Sequence, residues 1–287
     1  MDQATDFHDI LYRVEAGVAT LTLNRPRYRN AQGYNMLDEL DRAFARAAAD
    51  RDVRVVVVRG AGGHFSSGHD LGTAEDAAYK AALGANPGIE FYDQFKRYNL
   101  DLLLRWRDFP KPTIAMVEGY CIYAGWMLAA CCDLVFAAED AQFLPTFLEY
   151  MSVPWDIGIR RAKEVCFEAR FLPAAEAQAY GLVNRVLPAA DLERETYAYA
   201  ARVCEQTPEQ LRFLKIQMNK AQDMQGFTRA LEDSYGDFIA MSYLPGVRET
   251  RRVEGGRRMT AVDLALRGRR GERPGLTAEP LADQRVL

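Results

Sequence analysis

The stretch Lys111–Asp140, KPTIAMVEGYCIYAGWMLAACCDLVFAAED, constrains the fold of this chain more than any other. It reads as a strand over Thr113–Glu118, a glycine-bearing turn, a buried helix over Gly125–Asp133 and a second strand over Leu134–Ala138. Two strands joined through a helix call for parallel pairing with a right-handed crossover. A turn that opens a helix aims backbone N–H groups and the positive helix end at one point. Such a point can hold a developing oxyanion. Upstream, HFSSGHDLG at His64–Gly72 follows an apolar strand and can supply a second donor.

The remaining segments extend an α/β reading. Val18–Asn24 alternates with Leu21 and Leu23 on one face, and RPRYRN then breaks the strand. Gly33–Asp50 carries Met36, Leu37, Leu40 and Phe44 at helical spacing. Val53–Arg59, VRVVVVR, is a continuous β-branched run, as expected of a strand covered on both faces. Thr73–Phe109 reads as mostly helical with a break at Asn86-Pro87-Gly88. Ala174–Tyr180 ends at Gly181, a helix stop. Leu182–Val186 reads as a short strand, followed by helices over Ala190–Gln206, Pro208–Gln222 and Phe227–Met241. These spans divide the chain into a core over 1–188, a helical region over 189–245 and a tail over 246–287. The tail contains RETRRVEGGRRM and LRGRRGERPG. It offers little to bury, so partial disorder is expected there.

Composition excludes several classes. A net charge of −4 gives no general electrostatic case for nucleic acid. The N-terminal MDQATDFHDILYRVE lacks the basic and apolar regions of a signal peptide. The most apolar stretch, Cys121–Ala138, is cut by Asp133 and reads as helix plus strand, so no membrane role is expected. The five cysteines are odd in number and lack zinc-ligand spacing, and the three histidines are scattered. No metal site is expected, and a reducing cytoplasm fits the free thiols.

Five motifs in order resemble the crotonase (enoyl-CoA hydratase/isomerase) superfamily. They are NRPRYRNA at Asn24–Ala31, HFSSGHDLG at His64–Gly72, KPTIAMVEGYC at Lys111–Cys121, LAACCDLVFAAEDAQF at Leu128–Phe143 and AAEAQAYGLVNRVLP at Ala174–Pro188. The resemblance implies a crotonase-like spiral of β-β-α units in two near-perpendicular sheets. It also implies a C-terminal helical trimerisation region building homotrimers or dimers of trimers. The implied ligand is an acyl-CoA thioester, with no cofactor beyond the CoA of the substrate. Its carbonyl would lie between two backbone N–H groups, matched here by His69 and Ala124. Such fixed donors favour an enolate oxygen over a ketone oxygen. The resemblance further places CoA contacts at Arg27 and Arg29 in the first loop, and at Ser67, His69, Asp70 and Leu71 in the second.

The chain departs from that family where hydratases place two water-activating glutamates. The first position holds Met127, and the second falls at Phe147. Neither side chain moves protons. Glu149, Asp156, Tyr123 and the side chain of His69 are the candidate replacements, with Tyr150 and Tyr235 behind them. A carboxylate facing Phe147, Leu148 and Trp155 would have its pKa raised toward a useful range. Segment Ser152–Gly158 passes directly into the next helix, and its Trp155-Asp156 pair resembles the Phe-Asp of the naphthoate-synthase branch. Tyr123, Trp126, Phe147 and Trp155 suggest an aromatic pocket wall and a bulky or cyclic acyl group. The reading is an enoyl-CoA hydratase/isomerase-like enzyme. The alternatives are a C–C bond hydrolase, decarboxylase or thioester hydrolase of the same superfamily, and a non-catalytic CoA-ligand binding subunit.

Overall fold

The computed structural model of the protein describes residues 7–84, 88–244, 247 and 260–273. Its main sheet has six strands in the order β1-β2-β3-β4-β6-β9: β1 Ile10–Glu15, β2 Val18–Leu23, β3 Val55–Gly60, β4 Thr113–Val117, β6 Leu134–Ala138 and β9 Arg185–Leu187. The β1–β2 pair is an antiparallel hairpin. All other pairs of this sheet are parallel, as the strand–helix–strand pattern requires. A second sheet holds β5 Tyr120–Ile122, β7 Gln142–Leu144 and β8 Leu172–Pro173. Successive strands step from one sheet to the other, β4 to β5 and β6 to β7. This stepping is the spiral of β-β-α units expected above. The last strand of the main sheet lies over Arg185–Leu187 instead of Leu182–Val186, because Leu182 and Val183 are buried in the turn that closes the preceding helix.

The helices are α1 Tyr34–Ala49, α2 Ala74–Ala82, α3 Ile89–Lys96, α4 Leu102–Arg107, α5 Ala124–Ala130, α6 Val153–Asp156, α7 Ile159–Glu168, α8 Ala174–Tyr180, α9 Ala189–Cys204, α10 Pro208–Met224, α11 Phe227–Ser242 and α12 Ala261–Arg269. A π-helical turn, Arg97–Asp101, joins α3 to α4. The valines of β3 divide by parity between two cores. Val56 and Val58 face Met36, Leu40, Phe44 and Trp106 on one side, while Val55 and Val57 face Leu192 and Ala200 of α9 on the other. A strand covered on both faces has no polar side to show, which is why its sequence does not alternate.

Part of the tail is ordered. Thr260 and Asp263 form a reciprocal capping box at the start of α12. Ala265 and Leu266 then pack on Tyr120, Ile122, Leu144 and Phe171 of the small sheet. The expectation that this tail has little to bury fails for this stretch, because four small or apolar residues, Ala261, Ala265, Leu266 and Gly268, are buried along the short helix. The other residues of the 246–287 tail, Val247 apart, lie outside those described. No helix among the described residues is long and apolar enough to cross a membrane.

Candidate active site

Two loops meet at the C-terminal edge of the parallel strands. The first, His64–Leu71, follows β3; the second, Tyr120–Ala124, follows β4. They are zippered backbone to backbone: Ser66 N–H donates to the Tyr120 carbonyl at 2.9 Å, and Ile122 N–H donates to the Ser66 carbonyl at 3.0 Å. The closeness requires two glycines. A Cβ on Gly125 would sit 2.8 Å from the Ser66 carbonyl oxygen, and one on Gly68 would sit 2.9 Å from the Ile122 carbonyl oxygen. Gly68 also has φ +99°, a conformation that glycine tolerates.

This contact fixes the backbone of both loops. Gln32 N–H donates to the Gly68 carbonyl and Asp70 N–H to the Gln32 carbonyl. Alternate residues of an extended segment point to opposite sides, so the His69 N–H is turned away from Gln32. Ala124 is the first residue of α5, whose leading N–H groups have no intrahelical acceptor. Tyr123 before it has φ 49° and ψ −112°. Such a backbone costs of the order of 1–3 kcal/mol and is held here by its N–H bond to the Leu144 carbonyl at 3.0 Å. The turn is thus fixed from both sides.

The side chain of His69 meets Glu149, Nε2 to Oε2 at 3.2 Å. Glu149 is buried and comes from the loop after β7, two residues past Phe147. Burial pulls the His69 pKa down, but the Glu149 carboxylate and its hydrogen bond outweigh it, so the imidazole is raised above its ordinary 6.5. Asp76 and Lys80 of α2 lie in the same electrostatic neighbourhood and form an ion pair at 2.6 Å. Asp76 also accepts the Tyr34 N–H at 3.0 Å. Burial, followed by the Asp76 and Glu149 charges, pushes the Tyr34 phenol up to about 12.

The other predicted residues separate into groups. Asp70 is buried, and its carboxylate is occupied by Arg25 at 2.7 Å, by the Thr73 hydroxyl and backbone, and by the Gly72 N–H. Burial opposes ionisation there, yet these hydrogen bonds hold the carboxyl at about 2. Its side chain therefore braces the loop, and Arg25 is the partner that sequence reading did not single out. Leu71 is exposed, as is Arg27, whose guanidinium lies 5.4 Å from the Tyr28 ring centroid. The Arg29 carbonyl accepts the Ser67 N–H at 2.9 Å, and the Ser67 hydroxyl donates to the Tyr28 carbonyl at 3.1 Å. These bonds lay the arginine-bearing loop beside the Ser67–Leu71 strip. Phe147 is half-exposed at φ 55°, and Met127 is buried within α5.

Asp156 and Trp155 are not brought to the His69–Glu149 pair. Asp156 Oδ2 accepts the Trp126 indole N–H at 2.9 Å and the Ser152 hydroxyl at 2.7 Å. Burial raises its carboxyl to about 7, the two hydrogen bonds acting against the rise. Asp156, Trp155 and Phe227 line a cavity of about 470 Å³ at the opposite, N-terminal edge of the strands. Trp126 is fully buried, so it supports α5 from behind instead of offering its ring to a ligand. Tyr235 is buried beside Tyr92 and Phe95, with Glu149 and Tyr34 among its electrostatic neighbours. Among the described residues, no group of three or more His, Cys, Asp or Glu side chains could hold a metal ion.

A spiral of two sheets with a glycine-dependent loop contact at the start of a buried helix defines a crotonase-type protein. The Enoyl-CoA hydratase/isomerase family model matches residues 13–236. The chain belongs to that family. The Mycobacterium tuberculosis (strain ATCC 25618 / H37Rv) protein EchA13, whose name provisionally assigns it to the enoyl-CoA hydratases, is 36% identical over 252 residues, covering 80% of this chain and 79% of its own. Among solved structures, a probable enoyl-CoA hydratase of Mycobacterium smegmatis is 39% identical at a TM-score of 0.73, covering 82% of this chain and 93% of that one. An enoyl-CoA hydratase/isomerase of Xanthobacter autotrophicus Py2 is 34% identical at a TM-score of 0.74, covering 92% and 94%.

Proposed function

We propose that this protein is an acyl-CoA enzyme that holds the thioester carbonyl between the N–H groups of His69 and Ala124 and moves the proton with the His69–Glu149 pair. The observation that carries the reading is the placement of that pair, at 3.2 Å, on the same residue that supplies one backbone donor. The thioester oxygen and the proton acceptor are then fixed relative to each other by a single residue. Arg27 and Arg29 meet the CoA phosphates, with Ser67 and Leu71 along the pantetheine. The protein acts as a homotrimer or dimer of trimers in the cytoplasm.

The leading reaction is enoyl-CoA hydratase/isomerase chemistry on a bulky or cyclic acyl group. In hydration, the His69–Glu149 pair takes a proton from water as the water oxygen bonds to C3. The C2=C3 electrons shift to the carbonyl oxygen, which the two N–H groups stabilise. The pair then returns the proton to C2, so water is added and no group is left over. Donors of this kind are worth about 2.7–4 kcal/mol each, and a positioned base contributes roughly 10²–10⁴-fold.

A second reading is favoured by the presence of one acid/base unit in place of two glutamates. C–C bond hydrolysis, decarboxylation or thioester hydrolysis needs an oxyanion hole and a single base. Both readings are separated by incubating the protein with crotonyl-CoA, cinnamoyl-CoA and cyclic enoyl- and β-ketoacyl-CoA esters and weighing the products by mass spectrometry. Gain of one water with the thioester intact indicates hydration. A ring-opened product, lost carbon dioxide or free CoA indicates the second reading. Glu149→Gln should lower either turnover by about 10²-fold or more; an unchanged rate would remove the pair from the mechanism. Binding without turnover of any ester would leave a CoA-ligand binding subunit.

A further inference from the structure

The cavity of about 470 Å³ at the N-terminal edge of the strands has the volume of a small-molecule site, and the acyl-CoA reading leaves it without a role. Leu211, Leu214 and Met218 of α10, with Ile114 of β4 and Val135 of β6, give it a hydrocarbon wall. Trp155 and Phe227 add two rings that meet edge-on, 5.5 Å between centroids at 74°. The α10 rim is open to solvent, with Leu214 51% and Met218 64% exposed.

The charges around this cavity do not balance. Arg107 is ion-paired with Asp108 at 3.1 Å and with Asp223 at 3.2 Å, and its guanidinium lies 4.5 Å from the Phe227 ring centroid. Lys215 is paired with Asp133 at 2.9 Å. Asp156 lines the same cavity and, among the described residues, has no cation paired with it. The Trp126 indole and the Ser152 hydroxyl both donate to its Oδ2, so Oδ1 keeps its acceptor capacity and is not sealed inside the protein. Between the wall and its ion-pair partners, two cations face four carboxylates. A low-dielectric cleft with surplus charge of one sign concentrates ligands of the other.

We infer that this cavity is a second ligand site, and that it takes a small apolar amine whose ammonium donates to Asp156 while its hydrocarbon lies against α10 and the indole of Trp155. The ammonium supplies the positive charge that Asp156 lacks, and a hydrogen bond between two ionised groups is roughly twice as strong as a neutral one. Trp155 adds to the preference, because an indole ring attracts ammonium better than other aromatic rings do. The inference stands apart from the acyl-CoA reading, since it uses neither His69 nor Glu149.

The test is calorimetric binding of 2-phenylethylamine, 2-phenylethanol and 3-phenylpropionate to the full chain. At about pH 8 Asp156, raised to about 7, is ionised, and an alkyl ammonium with a pKa near ~10 is still protonated. The amine should bind about tenfold more tightly than the alcohol, and the acid should bind most weakly. Asp156→Asn keeps the shape and removes the charge. It should bring the amine down to the affinity of the alcohol while leaving the alcohol within about twofold. Leu214→Trp fills the cavity from its exposed rim and should abolish binding of the amine. Equal binding of amine and alcohol by the wild type, or amine binding that survives Leu214→Trp, would overturn the inference. So would failure of the amine to bind at all, the result expected if a second copy of the chain fills the cavity.

Discussion

In the proposed mechanism, His69 joins two kinds of chemistry in one residue. Its backbone is held extended by the Gln32 bridge, and its imidazole is held by Glu149. Two opposed effects set its proton affinity: burial favours the neutral ring, and the carboxylate favours the charged one. The carboxylate wins, so the folded-state pKa lies above the unfolded value. The pair therefore stabilises the fold fully below pH 6.5, and that contribution is lost as pH rises through the raised folded pKa. Glu149→Gln removes the favourable charge and leaves the burial. An NMR titration of the His69 ring should then give a pKa below 6.5, and a value unchanged from the wild type would mean that Glu149 does not control it. Much of this was legible in the sequence as candidates, since His69 stands in a motif and Glu149 lies two residues past Phe147, where a second glutamate is missing. Their mutual contact was not, because they are 80 positions apart and nothing local links them.

At the scale of elements, the turn proposed to hold the oxyanion is a meeting of two loops whose spacing is set by missing side chains. Gly125→Ala would place a methyl 2.8 Å from the Ser66 carbonyl oxygen, closer than atoms tolerate, and that neighbour is backbone, which cannot swing aside. The loops must part, and the Ala124 N–H moves with them. The expected result is a fall in kcat of about 10²–10³-fold with KM changed much less, read from steady-state kinetics on the best ester of the panel. Retention of wild-type kcat would show that the turn does not carry the oxyanion. The two glycines are visible in sequence as turn residues. Their role as spacers between chain segments is not, since it depends on Ser66 pairing with Tyr120 and Ile122. The docking of α12 was hidden for a related reason. An arginine-rich composition averages over the few positions, Ala265 and Leu266 among them, that face the small sheet.

Across the whole molecule, the helical region is fastened to the spiral by a buried charge. Lys215 of α10 donates to Asp133 at 2.9 Å and to the Lys111 carbonyl at 3.3 Å, while the same Asp133 oxygen accepts the Thr113 N–H at 2.7 Å. This tie connects α10 to the starts of β4 and β6, at the edge that also holds the 470 Å³ cavity. Lys215 is buried while Asp133 keeps a quarter of its side chain in solvent, so the pair is only partly desolvated. Lys215→Met should cost about 1–3 kcal/mol in urea denaturation through the hydrogen bonds lost to Asp133 and the Lys111 carbonyl, whereas a loss under about 0.5 kcal/mol, the range of ordinary surface changes, would mean the tie is solvated.

The sequence alone determined the strands of the main sheet from β2 onward, their parallel pairing and the family, because these follow from periodicity and from motifs that are local in the chain, whereas β1 and the three short strands of the second sheet were not legible in it. It also determined which residues were available for chemistry at the two positions where Met127 and Phe147 stand. Only the tertiary structure decided among the candidates. It set Glu149 against His69, tied up Asp70 with Arg25 and Thr73, and withdrew Asp156 to the far edge behind Trp126. The physical reason is that a side chain's role depends on what burial and hydrogen bonding leave free, and those partners come from elements far apart in the chain.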